Sequence, residues 1–312
     1  MAIAVRHTDK FVASAPELVL NAADLLERLI KRRHEAGPVL VGFDFPIGVP
    51  RGYGEAIALR DFRTALMTFG NGAWADWFRP AERPEEISIR RPFYPLRSGK
   101  RGTVSKYHLT TALQLSDDQL LRRCEQRFGD QRAACPLFWT VGPNQVGKTA
   151  INGWVEVLVR ALSSKTMTTA LWPFDGEITQ LLERFECVLC ETYPAVAYRH
   201  LGCCFAARES KRNQSHRKSK GQQLRAWYDA REYQPTQDVA AEIENGFGDC
   251  ATGEDRFDAF VGLLDMIDVV TGPGVAGVPT DSYVRRWEGW ILGRAAPHPA
   301  DALTAENSCD ES

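Results

Sequence analysis

The sequence lacks the features that mark membrane-spanning and exported proteins. No apolar run in its 312 residues reaches the roughly 18 that a transmembrane helix needs. Residues 1–7 do not have the layout of a secretory signal. The chain has only eight cysteines, which without an export signal indicates reduced thiols. We therefore expect a cytoplasmic protein with no membrane partner.

An excess of charge of one sign is also missing. Lysine and arginine number 38 against 40 aspartate and glutamate, which gives a formal net charge of −2. The molecule as a whole therefore has no attraction for nucleic acid, and any polyanion site must be a local basic patch. With 44% apolar and 25% charged residues, the composition is that of an ordinary globular protein.

The distribution of residue types along the chain predicts one domain over residues 1–294. Residues 70–106 are rich in Gly, Pro, Arg and aromatics without a clear period, which predicts a long irregular insertion. Residues 203–226 are basic and polar, and we expect a basic loop region there. The composition of residues 295–312 predicts a disordered tail.

One stretch, residues 39–48, combines a continuous apolar run with a carboxylate, Asp44. A run without polar alternation predicts a strand buried on both faces, and Pro46 should end it. Asp44 then lies at the carboxyl edge of a parallel sheet, where open α/β proteins keep their sites. A buried carboxylate is costly unless it is paired or binds a cation, so Asp44 is a candidate metal ligand. The alternative is a cap of the following turn.

Three further carboxylates occupy matching positions. Glu191 ends a second apolar strand, and Asp255 and Asp258 lie three residues apart in the first turn of the last long helix. Converging carboxylates repel one another unless a hard divalent cation binds between them. We expect Asp44, Glu191, Asp255 and Asp258 to bind Mg²⁺ or Mn²⁺. The alternatives are a helix-dipole partner for Asp255 and a helix cap for Glu191.

Strands alternate with helices along most of the chain. Two short strands, 2–5 and 10–13, come first, and the buried strands follow between helices. This order predicts a three-layer α/β sheet with antiparallel strands first. Two cations at its carboxyl edge could hold the attacking and the leaving oxygen of a phosphoryl displacement.

Three motifs carry a family resemblance: 42–48 (GFDFPIG), 191–194 (ETYP) and 254–259 (EDRFDA). In this order they resemble the family known as domain of unknown function 429, assigned to the ribonuclease H-like superfamily as a predicted nuclease. The resemblance covers about residues 38–270. It implies a mixed sheet with an opening antiparallel meander and helices on both faces.

The resemblance also implies residue roles. Asp44, Glu191 and Asp255 or Asp258 would form the metal site, with Asp44, Glu191 and Asp258 catalytic. The substrate would be bound by the basic residues that follow the Glu motif: Lys211, Arg217 and Arg225. Ribonuclease H-like enzymes carry a first carboxylate on their first strand, and residues 1–5 hold none. A non-catalytic binding protein is therefore one alternative to the nuclease.

A competing motif lies mid-chain, where residues 142–149 (GPNQVGKT) match the P-loop pattern between a candidate strand, 136–141, and a helix. A P-loop nucleotide-binding enzyme is the second alternative. Because only one Gly lies between Gly142 and Lys148, and no later strand ends in the expected Asp, the nuclease is preferred. In either fold Lys148 and Thr149 could hold a substrate phosphate at the helix start. Lys148 would then be a catalytic residue and Thr149 a substrate ligand. The substrate would be nucleic acid or a small phosphate compound.

Overall fold

A computed structural model describes residues 1–99, 103–127, 133–142, 145–249, 252–272 and 277–296. The predicted tail, from residue 297 onward, lies outside the described residues, as do positions 143 and 144 of the P-loop pattern. Among the described residues, no helix has the length and apolar character needed to cross a bilayer.

The described chain is a mixed α/β structure. The strands are β1 (Ile3–His7), β2 (Lys10–Ser14), β3 (Val39–Phe43), β4 (Thr169–Leu171) and β5 (Cys187–Glu191). The helices of the first half are α1 (Ala22–Ala36), α2 (Arg51–Ala56), α3 (Phe62–Thr68), α4 (Tyr107–Leu113), α5 (Val146–Gly153) and α6 (Val159–Leu162). Those of the second half are α7 (Ile178–Arg184), α8 (Pro194–His200), α9 (Gln214–Lys218), α10 (Gly221–Ala230), α11 (Gln237–Asn245) and α12 (Gly253–Thr271).

Local sequence explains where several helices begin and end. The Asn21 side chain accepts a hydrogen bond from the Asp24 amide at the start of α1, and Gly37, with φ +91°, follows its end. Pro194 opens α8, where its missing N–H costs nothing.

The strands form two sheets. β1 and β2 pair antiparallel, as predicted, in a two-stranded sheet. The other sheet has the order β3-β5-β4, with β3 parallel to β5 and the five residues of β5 fully buried. The continuous apolar runs at 39–43 and 187–190 therefore form neighbouring parallel strands, as their lack of alternation indicated.

The chain divides into two compact units. The first contains Met1–Asp44, Lys165–Ala170 and Thr179–Val275, and the second contains Phe45–Ser164, Leu171–Ile178 and Ala276–Ser312. In the first unit, apolar side chains of α8, α10, α11 and α12 build a core around Phe257, Phe260 and Leu264, all fully buried. This core fixes α12, the longest helix of the unit.

The second unit contains the predicted irregular insertion. Its described part, 70–99 and 103–106, contains two short 3₁₀ turns, Gly72–Trp74 and Pro84–Glu86, and isolated bridges at Ser88–Arg91 and at Tyr94. Aromatic packing holds this segment: the fully buried Trp77 stacks on Phe69, with ring centroids 3.6 Å apart, and lies 5.5 Å from Trp154.

Two expectations about secondary structure are wrong. Residues 203–226, predicted as a loop region, contain α9 and the beginning of α10. Residues 136–141, predicted as a strand, form a turn with one isolated bridge between Tyr94 and Trp139. Leu137 and Phe138 are fully buried there. A short apolar run can therefore be buried without being part of a sheet.

Candidate active site

Asp44 and Glu191 lie at the carboxyl ends of neighbouring strands of the first unit. The ladder between β3 and β5 ends with Phe43 opposite Glu191, and the Thr192 amide donates to the Phe43 carbonyl at 2.9 Å. Asp44 is therefore the first residue beyond its strand, and Glu191 is the last residue of the adjacent one. Glu191 is buried and Asp44 is exposed.

Helix α12 passes close to β3 because residue 42 is a glycine. A Cβ at Gly42 would lie 2.6 Å from the sulfur of Met266 and 2.4 Å from the Thr192 methyl. Real Cβ atoms do not approach that closely, so a larger residue would push the helix away. Asp258 lies about two turns before Met266 on the same helix, toward its N-terminus.

The Asp44 carboxyl has an unusual electrostatic environment. It forms no hydrogen bond and no ion pair within the described residues. Although part of its surface reaches solvent, dense protein surrounds the carboxyl. This burial, followed by the charge of Asp258, raises the pKa of Asp44 to about 7, while Lys211 opposes the change. Burial and nearby like charge both disfavour the carboxylate form, so the surrounding protein does not offset the charge of Asp44 when it ionises.

Asp258 is held from both sides. The Tyr198 hydroxyl donates a hydrogen bond to one carboxylate oxygen. The Lys211 ammonium donates to the other at 2.6 Å and lies 3.2 Å from Glu254. Burial raises the pKa of Asp258 although both hydrogen bonds oppose the change. Tyr198 and Lys211 therefore fix the position of a carboxylate whose side chain is only 13% exposed.

Negative charge exceeds positive charge in this part of the unit. The charges of Asp258, Glu191 and Asp255 raise the pKa of Asp44, and the charge of the Lys211 ammonium lowers it. Burial disfavours the charge on Lys211, yet hydrogen bonds and charges of Asp258 and Glu254 outweigh it and raise its pKa. Neighbouring carboxylates therefore contribute to the raised pKa of Lys211 and, after burial, to that of Asp44.

We call Asp44, Asp258, Lys211, Tyr198 and Glu254 the acidic site. Of the four predicted metal ligands, Asp258 has the strongest charge effect on Asp44, followed by Glu191, and the exposed Asp255 has the weakest. Within the described residues, no three His, Cys, Asp or Glu side chains are grouped closely enough to enclose a metal ion by themselves. Among these carboxylates, Asp258 is therefore the one whose charge affects Asp44 most.

The environment of Arg217 argues against the prediction that this residue binds a substrate. Its side chain is buried, with 1% of its surface exposed. The guanidinium donates to three backbone carbonyls, those of Gly246 at 2.8 Å, Gly248 at 2.5 Å and Lys211 at 2.5 Å. These bonds use each of the three guanidinium nitrogens, and the burial of the side chain keeps it from contact with a phosphate in solution. Arg217 fixes the backbone of Lys211 instead of binding a substrate.

The rest of the basic segment is largely neutralised by acids of the same unit. Lys220 pairs with Glu209 at 2.6 Å. Arg225, a predicted substrate ligand, lies 3.5 Å from Glu244, and Arg212 lies 3.4 Å from Glu254. Paired cations attract phosphates less strongly than free ones, so this segment offers less attraction for a polyanion than its sequence indicated.

Lys148 and Thr149, the other predicted phosphate ligands, are exposed near the start of α5 in the second unit. The strand that a P-loop requires before its helix is absent from the described residues 136–142. The Gly147 amide donates to the Trp139 carbonyl at 2.9 Å. A P-loop uses such amides to bind phosphates, so this bond argues against that function.

Sequence reasoning missed two members of the acidic site, Tyr198 and Glu254. Glu254 carried a usable signal, because it lies four residues before Asp258 and residues so spaced share a helix face. Tyr198 carried none, because a tyrosine at a buried position of a short helix is an ordinary core residue.

The pKa of Asp44 gives a prediction about stability and pH. Its pKa lies above the ordinary value of 3.8, so its ionisation costs folding free energy as the pH rises from about 4 to about 7. Asp44→Asn removes this cost. Without divalent metal at pH 8, we expect the variant to be more stable than the wild type by about 1 kcal/mol, after allowance for solvent screening of an exposed group.

Urea denaturation at pH 4.5 and pH 8 measures this effect, with Asp255→Asn as the control of equal charge change. The advantage of Asp44→Asn should grow between the two pH values, and that of the control should not. A wild type that is the more stable protein at pH 8 would contradict the assignment of surplus charge to Asp44.

Comparison of the chain with protein-family models, with curated proteins and with solved structures gives no significant match. The chemistry of the acidic site is therefore the basis for the proposed function.

Proposed function

We propose that the first unit is a divalent-metal-dependent phosphodiesterase of the nuclease type, in which Asp44 and Asp258 bind Mg²⁺ or Mn²⁺. The observation that carries the proposal is the Asp44 carboxyl itself. It is accessible at the carboxyl end of a parallel strand, has no partner in the described residues, and is affected most by Asp258 among the charged groups around it. Open α/β sheets place their ligands at this edge.

The residues present fit such a cation. Mg²⁺ prefers oxygen ligands and usually takes one or two carboxylates, completing its shell with water and substrate phosphate. Two carboxylates without a complete protein cage are therefore sufficient. Burial, followed by the charge of Asp258, disfavours the ionised form of Asp44, and a bound divalent ion would stabilise that form.

When bound, the metal would supply a Lewis acid and lower the pKa of a coordinated water. The protein residues do the remaining work. Asp44 and Asp258 orient the ion at the edge of the sheet, and Tyr198 keeps the Asp258 carboxylate in place. Lys211, whose backbone Arg217 holds, is placed to neutralise a phosphate oxygen. Glu191 and Asp255 have smaller charge effects on Asp44 than Asp258 has.

The proposal includes a ribonuclease H-like arrangement and membership of the domain of unknown function 429 family. Supporting features are the parallel β3–β5 pair with acids at its ends, the antiparallel β1–β2 pair and the acids at the start of α12. In the described residues the two sheets are separate, so the three-layer mixed sheet with its meander belongs to the proposal. The substrate class is a phosphodiester, in nucleic acid or in a small phosphate compound.

Metal binding tests the proposal. Calorimetric titration with Mn²⁺ at pH 7.5 should detect binding to the wild type, and Asp44→Asn and Asp258→Asn should weaken it about tenfold or more because each removes a charged ligand. Asp255→Asn, on the same helix, should change the affinity less than about twofold. Equal affinities of the wild type and Asp44→Asn would refute the site. Binding without hydrolysis of any phosphodiester would favour the non-catalytic alternative.

A further inference from the structure

Lys211 occupies the position at which a cation would meet Asp258. Its ammonium lies 2.6 Å from one oxygen of Asp258 and 3.2 Å from Glu254, a residue outside the predicted ligand set. We propose that Lys211 is a displaceable counter-ion of the acidic site, which leaves Asp258 when a divalent metal binds and is then held by Glu254. This inference rests on the proposed metal-dependent function and adds a mechanism that regulates metal affinity.

The side chain of Lys211 can move while its backbone stays fixed. The Arg217 guanidinium donates to the Lys211 carbonyl, so the main chain is anchored. The ammonium itself is a compact charge on a flexible four-carbon chain, and 36% of the side chain is exposed. A shift of the ammonium between two carboxylates therefore needs no change in the fold.

Glu254 is the alternative partner because of its place on α12. It precedes Asp258 by four residues, so the two carboxylates lie on the same helix face. Both already share Lys211. A divalent ion on Asp258 would repel the ammonium, and the nearby Glu254 would keep it at the site, where it could meet a substrate phosphate. Glu254 is thus a positioning residue for Lys211.

Competition between two cations has a measurable consequence. In the wild type, part of the metal-binding free energy is used to move Lys211 from Asp258. Lys211→Met removes the competitor and keeps most of the apolar stem, so metal affinity should increase about tenfold or more, a coupling of ordinary size. Glu254→Gln removes the alternative partner and should weaken metal binding, but only while Lys211 is present.

The experiment is a calorimetric Mn²⁺ titration of the wild type, Lys211→Met, Glu254→Gln and the double variant at one pH and ionic strength. Lys218→Met is the control, because it removes an exposed lysine of α9 with the same change in net charge. Lys211→Gln is a second variant without the charge, for use if the methionine variant does not fold.

The outcomes separate this inference from the proposed function. Tighter binding by Lys211→Met than by Lys218→Met, together with a Glu254→Gln effect that disappears in the double variant, supports a displaceable counter-ion. Wild-type binding that Lys211→Met leaves unchanged or weakens overturns the inference and leaves the metal site standing. Absence of binding in every protein overturns the metal site itself, and the inference with it.

Discussion

Asp44→Asn is expected to lower Mn²⁺-dependent phosphodiester hydrolysis about 10²-fold or more. The substitution keeps the shape of the side chain but removes the negative charge that binds the ion. A metal ion contributes several kcal/mol to the stabilisation of a hydrolytic transition state, and each 1.36 kcal/mol is a factor of ten in rate. The loss should appear in kcat/KM for a generic substrate such as bis(4-nitrophenyl) phosphate.

Two controls make this result interpretable. Asp255→Asn has the same chemistry and lies on α12, but its carboxylate is exposed and has the weakest effect on Asp44, so it should lose less than about threefold. Asp44→Asn should also be at least as stable as the wild type at pH 8, which excludes unfolding as the cause. An Asp44→Asn variant that keeps most of the wild-type rate would show that the hydrolysis does not depend on the Asp44 carboxylate.

Arg217→Met is expected to destabilise the protein by about 3–5 kcal/mol. The buried guanidinium donates to the carbonyls of Gly246, Gly248 and Lys211, and methionine can donate to none. Buried carbonyls without partners cost free energy, and hydrogen bonds from a charged donor are stronger than neutral ones. Lysine cannot reproduce the planar fork, so Arg217→Lys should lose most of the same free energy.

Urea denaturation gives the free energy of unfolding for these variants, and Arg225→Met is the matched control. Arg225 is 52% exposed and lies 3.5 Å from Glu244, an arrangement that contributes less than about 1 kcal/mol. If Arg217→Met were as mild as Arg225→Met, the buried hydrogen bonds of Arg217 would not be holding the Lys211 segment.

Some of the site was accessible from sequence because it depends on local patterns. The apolar runs before Asp44 and Glu191 predicted buried strands, and both residues lie at strand ends in the structure. A last long helix with acids near its start was also expected, and α12 carries Glu254 and Asp255 in its first turn. Burial on both faces of a strand and on one face of a helix leaves a periodic trace that a single sequence retains.

The rest depends on partners distant in the chain. Arg217 lies in a basic segment that has the composition of a solvated loop, and its acceptors include carbonyls 29 and 31 residues away. The apolar run 136–141 is buried in a turn. The periodicity of apolar residues cannot distinguish such a buried turn from a strand. Which two of four predicted carboxylates interact most strongly depends on how α12 lies on β3, and that is determined by the close approach at Gly42.

The most direct test of the central claim is a crystal of the protein soaked in Mn²⁺ and measured for anomalous scattering. We expect one peak within about 2.0–2.6 Å of a carboxylate oxygen of Asp44 and one of Asp258, with the Lys211 ammonium moved from Asp258 toward Glu254. A crystal without such a peak, in which Lys211 still donates to Asp258 at saturating Mn²⁺, would contradict it.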